Sequence, residues 1–417
     1  MNKQFIATLL LGFAGFFSNG FAQNNNSNSP YTRYGYGKLA DPSSVAMQGM
    51  GGIAFGLRNS QVINPANPAA VSAVDSMTFM LDVGLKLQTE QFNDQGNRAS
   101  KTSGGLEYAS LQFPLAKRLG IGLGLEPVSY IGYKFGQSST DRNPSSNNTI
   151  IGSETYSGSG GINRIYANLG YEVWKNRLSV GVKGAWVFGE KNHYTVYTPL
   201  YSEQAPLSWP DSLHINGFMY EAGLQYRQPI DKNNEVIIGL VYKPKTPLST
   251  QLIRHETTGK VFRSNDVAFE MPETFGIGFT YNCLNKLTAG ADFQYQRWAN
   301  VQYYGKTDTL SNRMKINVGL EYTPDKNSKR FLGRVRYRIG GYYTDSYFTD
   351  SNGSKCKEVG LNLGLGIPMT DRRSFVNLAF EYSRLIPQST KSLSESYFKF
   401  TVSYTLNELW FHKRKLQ

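Results

Sequence analysis

With 417 residues the chain could fold as two or three soluble domains, yet no Pro/Gly/Ser-rich linker divides it. It is basic, with 44 Lys and Arg against 31 Asp and Glu, but the cations are scattered and no nucleic-acid fold motif accompanies them, so nucleic acid is not an expected partner. Two cysteines, four histidines away from any strand carboxylate and no Gly-x-Ser-x-Gly elbow leave no metal centre, cofactor site or catalytic residue to nominate, and the chain is not expected to be an enzyme.

Lys3 precedes an apolar run from Phe5 to Phe17, followed by small residues and Gly20-Phe21-Ala22. This reads as a secretory signal over residues 1–22, with cleavage expected between Ala22 and Gln23. The run is too short for an anchor helix, and no Cys stands nearby to accept lipid. Nothing later approaches about 18 consecutive apolar residues, so no helix is expected to span a membrane.

Residues 23–75 form an N-terminal tract and lumenal plug. A polar Asn/Ser stretch runs to Asn28, and a segment Gly-rich from Met50 to Leu57 leads into the tandem Asn64-Pro65-Ala66-Asn67-Pro68-Ala69. Roughly 45 residues that are neither strand-like nor strongly helical are too many for a linker. Asn and Pro favour turns and resist strand extension, so the plug is expected not to pair with a wall.

From Ser76 to Phe411 the chain alternates with period two. Met77, Phe79, Leu81, Val83, Leu85 and Leu87 share one face of the first segment, with Thr78, Asp82, Lys86 and Gln88 on the other. Such alternation marks a strand with one apolar and one polar face. Strands are predicted at Met77–Glu90, Leu106–Lys117, Gly120–Lys134, Ile162–Trp174, Arg177–Tyr197, Leu213–Gln228 and Asn234–Lys245. Seven more follow at Glu273–Asn282, Leu287–Val301, Arg313–Thr323, Phe331–Thr344, Lys357–Ile367, Arg373–Leu385 and Ser396–Trp410.

Short basic turns such as Arg118-Leu119 and Lys175-Asn176 alternate with long loops, the longest being 141–161 and Thr246–Met271. The pattern is that of an all-β, 14-stranded antiparallel transmembrane β-barrel over residues 76–411, with a basic periplasmic tail at 412–417. It belongs in the outer membrane of a Gram-negative bacterium, among lipid and lipopolysaccharide, with short turns and both termini in the periplasm. A mean hydropathy of −0.40 does not oppose this, because only alternate positions face lipid. Cys283 and Cys356 fall at opposite ends, separated by roughly the 25 Å apolar band, beyond the ~7 Å reach of a disulfide.

The Gly-rich stretch leading into Asn64-Pro65-Ala66 resembles the plug of the FadL family of outer-membrane hydrophobic-compound transporters, which carries an Asn-Pro-Ala motif. Met271-Pro272-Glu273-Thr274-Phe275-Gly276 is similar to that family's Pro-x-(Ser/Thr)-(aromatic)-Gly strand opening. Asp292-Phe293-Gln294-Tyr295-Gln296-Arg297-Trp298 is similar to its Asp-x-x-Tyr-x-x-Trp strand. The resemblance implies passive uptake of a hydrophobic small-molecule ligand such as a fatty acid, past a shifting plug that contains Asn64 to Ala69. It also implies sideways release at a kinked third strand.

Three features depart from the family pattern. Asn-Pro-Ala occurs in tandem, the last strand continues into His412-Lys413-Arg414-Lys415, and several loops look short for a ligand groove. Some members of the family serve instead as non-transporting subunits or shuttles of outer-membrane machines for secretion or barrel assembly. That alternative, with other outer-membrane proteins as partners, stays open beside uptake.

Two further features are candidate sites. In the third strand Ile121, Leu123 and Leu125 are expected outward before Pro127, and Val128 and Tyr130 after it. A proline inside a closed sheet marks a bulge or a break in pairing. In the eleventh strand Arg334, Arg336 and Arg338 share one face, with Val335, Tyr337 and Ile339 on the other. Facing the lumen, the arginines either receive a carboxylate headgroup or, as favoured, neutralise themselves against Glu321 and Glu358 on neighbouring strands. Glu107, Asp292 and Glu381 are expected at or beside inward positions.

Overall fold

A computed structural model describes residues 27–409, except 95, 141–149, 201–206, 256–259, 266, 350–352, 354 and 390–391. The predicted leader with its Ala22–Gln23 step and the tail 412–417 lie outside the described residues.

The N-terminal segment contains a short strand, β1 (Lys38–Leu39). The wall then runs β2 (Thr78–Asp94), β3 (Asn97–Ala116), β4 (Leu119–Thr140), β5 (Ile150–Trp174), β6 (Leu178–Pro199), β7 (Leu207–Pro229) and β8 (Glu235–Lys243). After β9 (Thr246–His255), β10 (Val261–Ser264) and β11 (Phe269–Met271), the wall resumes with β12 (Thr274–Cys283), β13 (Leu287–Gln296) and β14 (Arg313–Tyr322). It ends with β15 (Arg336–Thr349), β16 (Lys355–Pro368), β17 (Phe375–Pro387) and β18 (Ser394–Leu409). β18 pairs with β2 from Ser394–Asn93 to Leu409–Thr78, closing a barrel of 14 antiparallel strands.

The alternation sets which side chains meet lipid. On β6, Val180, Val182 and Trp186 are exposed while Ser179, Lys183, Ala185 and Val187 are buried. The first set meets lipid, and the second, with the Lys183 charge that lipid would not tolerate, faces the lumen. The hairpins are tight where left-handed residues allow it. At Cys283–Lys286, Leu284 (φ 52°) and Asn285 (φ 54°) are both left-handed, and Lys286 N donates to Cys283 O at 2.9 Å. This is the turn whose twist suits paired strands.

Several expectations need correction. β3, β4 and β5 extend well beyond their predicted outer ends, because the apolar pattern marks the membrane band and the hydrogen-bonded ladder continues past it. Thr246–Met271 is not a simple loop: β9 pairs with β7 and with β11, carrying the wall outward after Pro244 interrupts β8. The ninth predicted strand stops at Gln296, before a 3₁₀ turn at Trp298–Asn300.

Phe331–Arg334 is a short helix in the β14–β15 turn, so Arg334 does not share a strand face with Arg336 and Arg338. Val335 is buried rather than lipid-facing. The turn folds back because Asp325 N donates to Gly333 O. Cys283 ends β12 at a short turn, Cys356 opens β16 at the loop end, and no disulfide joins them.

The described chain ends also depart from expectation. Ser27 bonds Glu90 and Ser29 bonds Glu395, both at the loop end of the barrel, whereas Leu409 lies opposite Thr78 at the turn end. Residues 27 and 409 are therefore at opposite ends, because the N-terminal segment runs the length of the lumen before β2 begins.

A filled lumen and an open seam

The tandem Asn-Pro-Ala works as two linked turns. Asn64 Nδ2 donates to the carbonyls of Ala54 (2.6 Å) and Leu57 (2.9 Å), while its Oδ1 accepts from Ala66 N at 3.0 Å. Asn67 repeats the device: Nδ2 donates to Phe55 O (2.8 Å) and to Leu224 O on β7 (3.2 Å), and Oδ1 accepts from Ala69 N (3.0 Å). Pro68 then starts a 3₁₀ turn, Pro68–Ala73.

The wall meets this element with glycine. A Cβ at Gly181 would overlap the Pro68 backbone, and one at Gly239 the Phe55 carbonyl. Backbone lies on backbone there, and no other residue fits. Asp292, which the sequence nominated, accepts from Ala54 N (2.5 Å) and Phe55 N (3.0 Å) and so holds the plug. On the lipid side of this arc a groove of about 860 Å³ runs between Leu169, Val182, Leu240 and Phe293.

Buried charges fill much of the remaining lumen. Glu221 on β7 receives Arg164, Lys183 (3.2 Å) and Lys243 (2.9 Å), and Arg164 Nε also donates to Glu126 (2.8 Å). The Lys183 amine in addition reaches the Pro65 carbonyl, which ties the plug to the wall. Sequence reasoning missed Glu221, Arg164 and Lys183, although strand parity marks Lys183 as inward between Val182 and Gly184.

Arg338 donates to Glu321 (2.7 Å) and Asn377 (2.9 Å), while Arg336 donates to Gln61 and lies 4.0 Å from the Phe375 ring centroid. Neither is presented to a free headgroup. Glu107 pairs with Lys86 (3.3 Å) and Glu381 with Lys399 (3.0 Å). Among the described residues, lumenal cavities of about 60, 80 and 60 Å³ remain beside these groups.

Pro127 sits where the wall parts. β3 pairs with β4 from Ala116–Leu119 only as far as Ala109–Leu125. On the other side β4 stays paired with β5, with a register slip between Pro127–Asn163 and Ser129–Ile162 that leaves Val128 bulged. Tyr130 lies inward, contrary to expectation, keeping the parity of inward Glu126, and its hydroxyl donates to Glu107 at 3.0 Å.

The plug also pairs with this wall, which was not expected. Lys38 and Leu39 take Tyr130 and Ser129 as antiparallel partners, and Ala40 N donates to Val128 O at 2.9 Å. Pro127→Val should therefore leave the β3–β4 break intact, because the β4 edge is already taken. Unchanged amide exchange over residues 97–108 would bear that out, and new protection there would refute it.

At the loop end, aromatic side chains close over the N-terminal segment. Tyr36 packs against Tyr303 (ring centroids 5.4 Å), Trp298 (5.5 Å) and Phe269 (6.2 Å). Trp298 belongs to the sequence motif, whereas Phe269, Tyr303 and Tyr347 lie in strand ends and loops with no period to reveal them.

Nearby, Glu395 accepts Ser29 Oγ at 2.7 and 2.9 Å and also bonds Tyr397. It lies beyond the apolar band, whose first outward member on β18 is Phe398. Burial, reinforced by the negative charge of Glu90, raises its pKa from 4.5 to about 7 against the hydrogen bonds that lower it. The folded state thus keeps a proton that the unfolded chain has lost. This contribution is full below pH 4.5 and disappears as pH rises through about 7. Melting in detergent should come at higher temperature at pH 5.5 than at 8.5, and Glu395→Gln should reduce that difference. An equal difference in the variant would refute the assignment.

The family model described as BamG matches residues 1–417. The chain belongs to the BamG family. No curated protein matches it by sequence. Among solved structures, this BamG-family barrel is similar to the toluene transporter TbuX of Ralstonia pickettii, at 16% identity and TM-score 0.58, covering 89% of this chain and 99% of that one. The P. putida toluene transporter TodX gives 15% and 0.58, covering 89% and 100%. A Pseudomonas aeruginosa FadL homologue gives 13% and 0.55, covering 89% and 98%. At these identities the likeness is one of fold alone.

Proposed function

We propose that this protein is a non-transporting subunit of an outer-membrane protein-assembly machine, with its short turns in the periplasm. The observation that carries this reading is the filled lumen. The plug is bonded to the wall along its length, and the lumenal cavities of about 60–80 Å³ compare poorly with the roughly 150 Å³ that holds a benzene. Membership of the BamG family supports it. Exposed Lys117, Lys175, Lys232, Lys286, Arg372 and Arg373 make the turn end basic, as suits short periplasmic turns. The test is purification of the intact protein in mild detergent. A stoichiometric protein partner is the expected result, and co-purified lipid or fatty acid without any partner would overturn the reading.

A second reading is uptake of a hydrophobic small molecule with plug rearrangement and lateral release. The fold shared with a toluene transporter and a monoaromatic hydrocarbon channel favours it, as does the break beside Pro127. Saturable toluene or fatty-acid uptake that depends on this chain would favour transport over the subunit reading.

A further inference from the structure

The seam between β3 and β4 has two lips, and among the described residues only one of them is covered. Continuing the register beyond Ala109–Leu125 would set Gly105 against Ser129 and Gly104 against Tyr130. Those two β4 residues pair with Leu39 and Lys38 instead. Higher on β4, Gly132 exchanges two bonds with the Thr32 hydroxyl, at 3.0 and 3.1 Å. Among the described residues the other lip receives nothing comparable: from Asn97 to Tyr108, β3 pairs with β2 alone.

A bare edge of that length is a template. Each residue along a strand edge presents N–H and C=O groups that want partners, and natural sheets blunt such edges with Pro or cover them. No Pro occurs between Asn97 and Tyr108. Part of the edge also lies at membrane depth, because Leu87, the last apolar outward residue of β2, pairs with Gly104. Acyl chains cannot satisfy backbone groups there.

The lip discriminates between occupants by charge. Arg98 and Lys101 on β3 and Lys134 on β4 are exposed, and among the described residues none of them forms an ion pair. A second copy of the chain added antiparallel would oppose like charges, which is unfavourable. The chain's own N-terminal segment is committed to the facing lip, where β1 shows that this seam accepts an added strand.

We propose that the outer half of β3 receives an extended segment of a partner protein, bearing acidic side chains, as an additional strand. Main-chain bonds would supply affinity and the basic lip the selectivity. This rests on the subunit reading above.

The test places a photo-crosslinking amino acid singly at each of residues 98 to 103 of the full-length protein in cells. The expected product is one protein of fixed mass, captured with a period of two residues, since alternate side chains point to opposite faces. The double variant Arg98→Glu/Lys101→Gln removes the basic charge of the lip without placing a carboxylate opposite Glu90, the cross-strand partner of Lys101, and a heat-modifiable gel shift would show that the barrel stays folded. It should lower crosslink yield about tenfold or more.

Crosslinks only to lipopolysaccharide, only to a second copy of the chain, or of unchanged yield in the double variant would overturn the strand-addition proposal. A partner that still co-purifies when crosslinks are absent means that the edge is not its site, while the subunit reading stands. If no partner co-purifies and no crosslink forms, both fall.

Discussion

Glu221→Ala should cost the barrel about 3–5 kcal/mol, the usual penalty for removing one member of a buried ionic cluster. Glu221 is a shared counter-ion: Arg164, Lys183 and Lys243 converge on it, and the Lys183 and Glu221 carboxylate–amine pair is almost fully buried. Without it, Glu126 alone remains to balance Arg164 and Lys183, and Lys243 loses its partner. The loss is one of desolvation as much as of attraction, since three cations would be left with one carboxylate in a medium that solvates them poorly.

Denaturant unfolding of the barrel in detergent measures the change. Combining the substitution with Lys183→Met should recover part of the loss, because one stranded cation is removed with it. A cost below about 1 kcal/mol for Glu221→Ala would mean that water reaches the cluster and screens it. Plug contact gives a second readout. The Lys183 amine holds the Pro65 carbonyl, so loosening the cluster should speed amide exchange around Asn64–Ala69 before the wall itself opens.

The wall was legible in the sequence because lipid imposes a strict rule on every second side chain. Val180, Val182 and Trp186 have no other place to be, and residues of this kind fix both the strand and its facing. The rule stops at the edge of the apolar band. Beyond it, outward residues such as Ser394 and Asn93 are polar, and the sequence cannot say that β2 and β18 are still paired there. The same limit hid β9 and β11.

Turn chemistry caused a different miss. The alternation Arg334, Val335, Arg336 continues the strand pattern, yet a back-folded turn takes Phe331–Arg334 as a helix. Tyr130 was misplaced because its apolar ring suggested that the strand's facing reverses at Pro127, whereas Tyr130 keeps the inward parity of Glu126 and uses its hydroxyl on Glu107. Glu221 and Lys183 were visible as inward positions. What the sequence lacked was their convergence, which depends on the register of β6 against β7.

Tyr36→Ala should be nearly as damaging, at about 3–5 kcal/mol, and its effect should be local to the mouth. Gly35 (φ 55°) and Gly37 (φ 89°) are both left-handed, so the chain turns sharply on either side of Tyr36 and presents its ring at the apex. The ring is 1% exposed among Trp298, Phe269 and Tyr303, and its hydroxyl donates to Glu270 O at 2.8 Å. The flanking backbone is held as firmly. Tyr36 N donates to the Tyr347 hydroxyl (2.9 Å), and Gly35 O accepts from Tyr303 (2.8 Å) and from the Lys191 amine (2.6 Å).

Truncation leaves a void the size of a phenol ring between rigid aromatic walls, with the Glu270 carbonyl stripped of its donor. Tyr36→Phe keeps the ring and loses one hydrogen bond, so it should cost only about 0.5–1.5 kcal/mol. The two variants separate packing from polarity. Thermal unfolding in detergent measures both, and limited proteolysis from the loop side reports where the damage falls. In Tyr36→Ala the segment from Ser29 to Ala40 should become cleavable while β2 to β18 stay resistant. If the alanine variant melts within the range expected of the phenylalanine one, or its N-terminal segment stays protected, then β1 and the buried serines hold that segment and the aromatic cap does not.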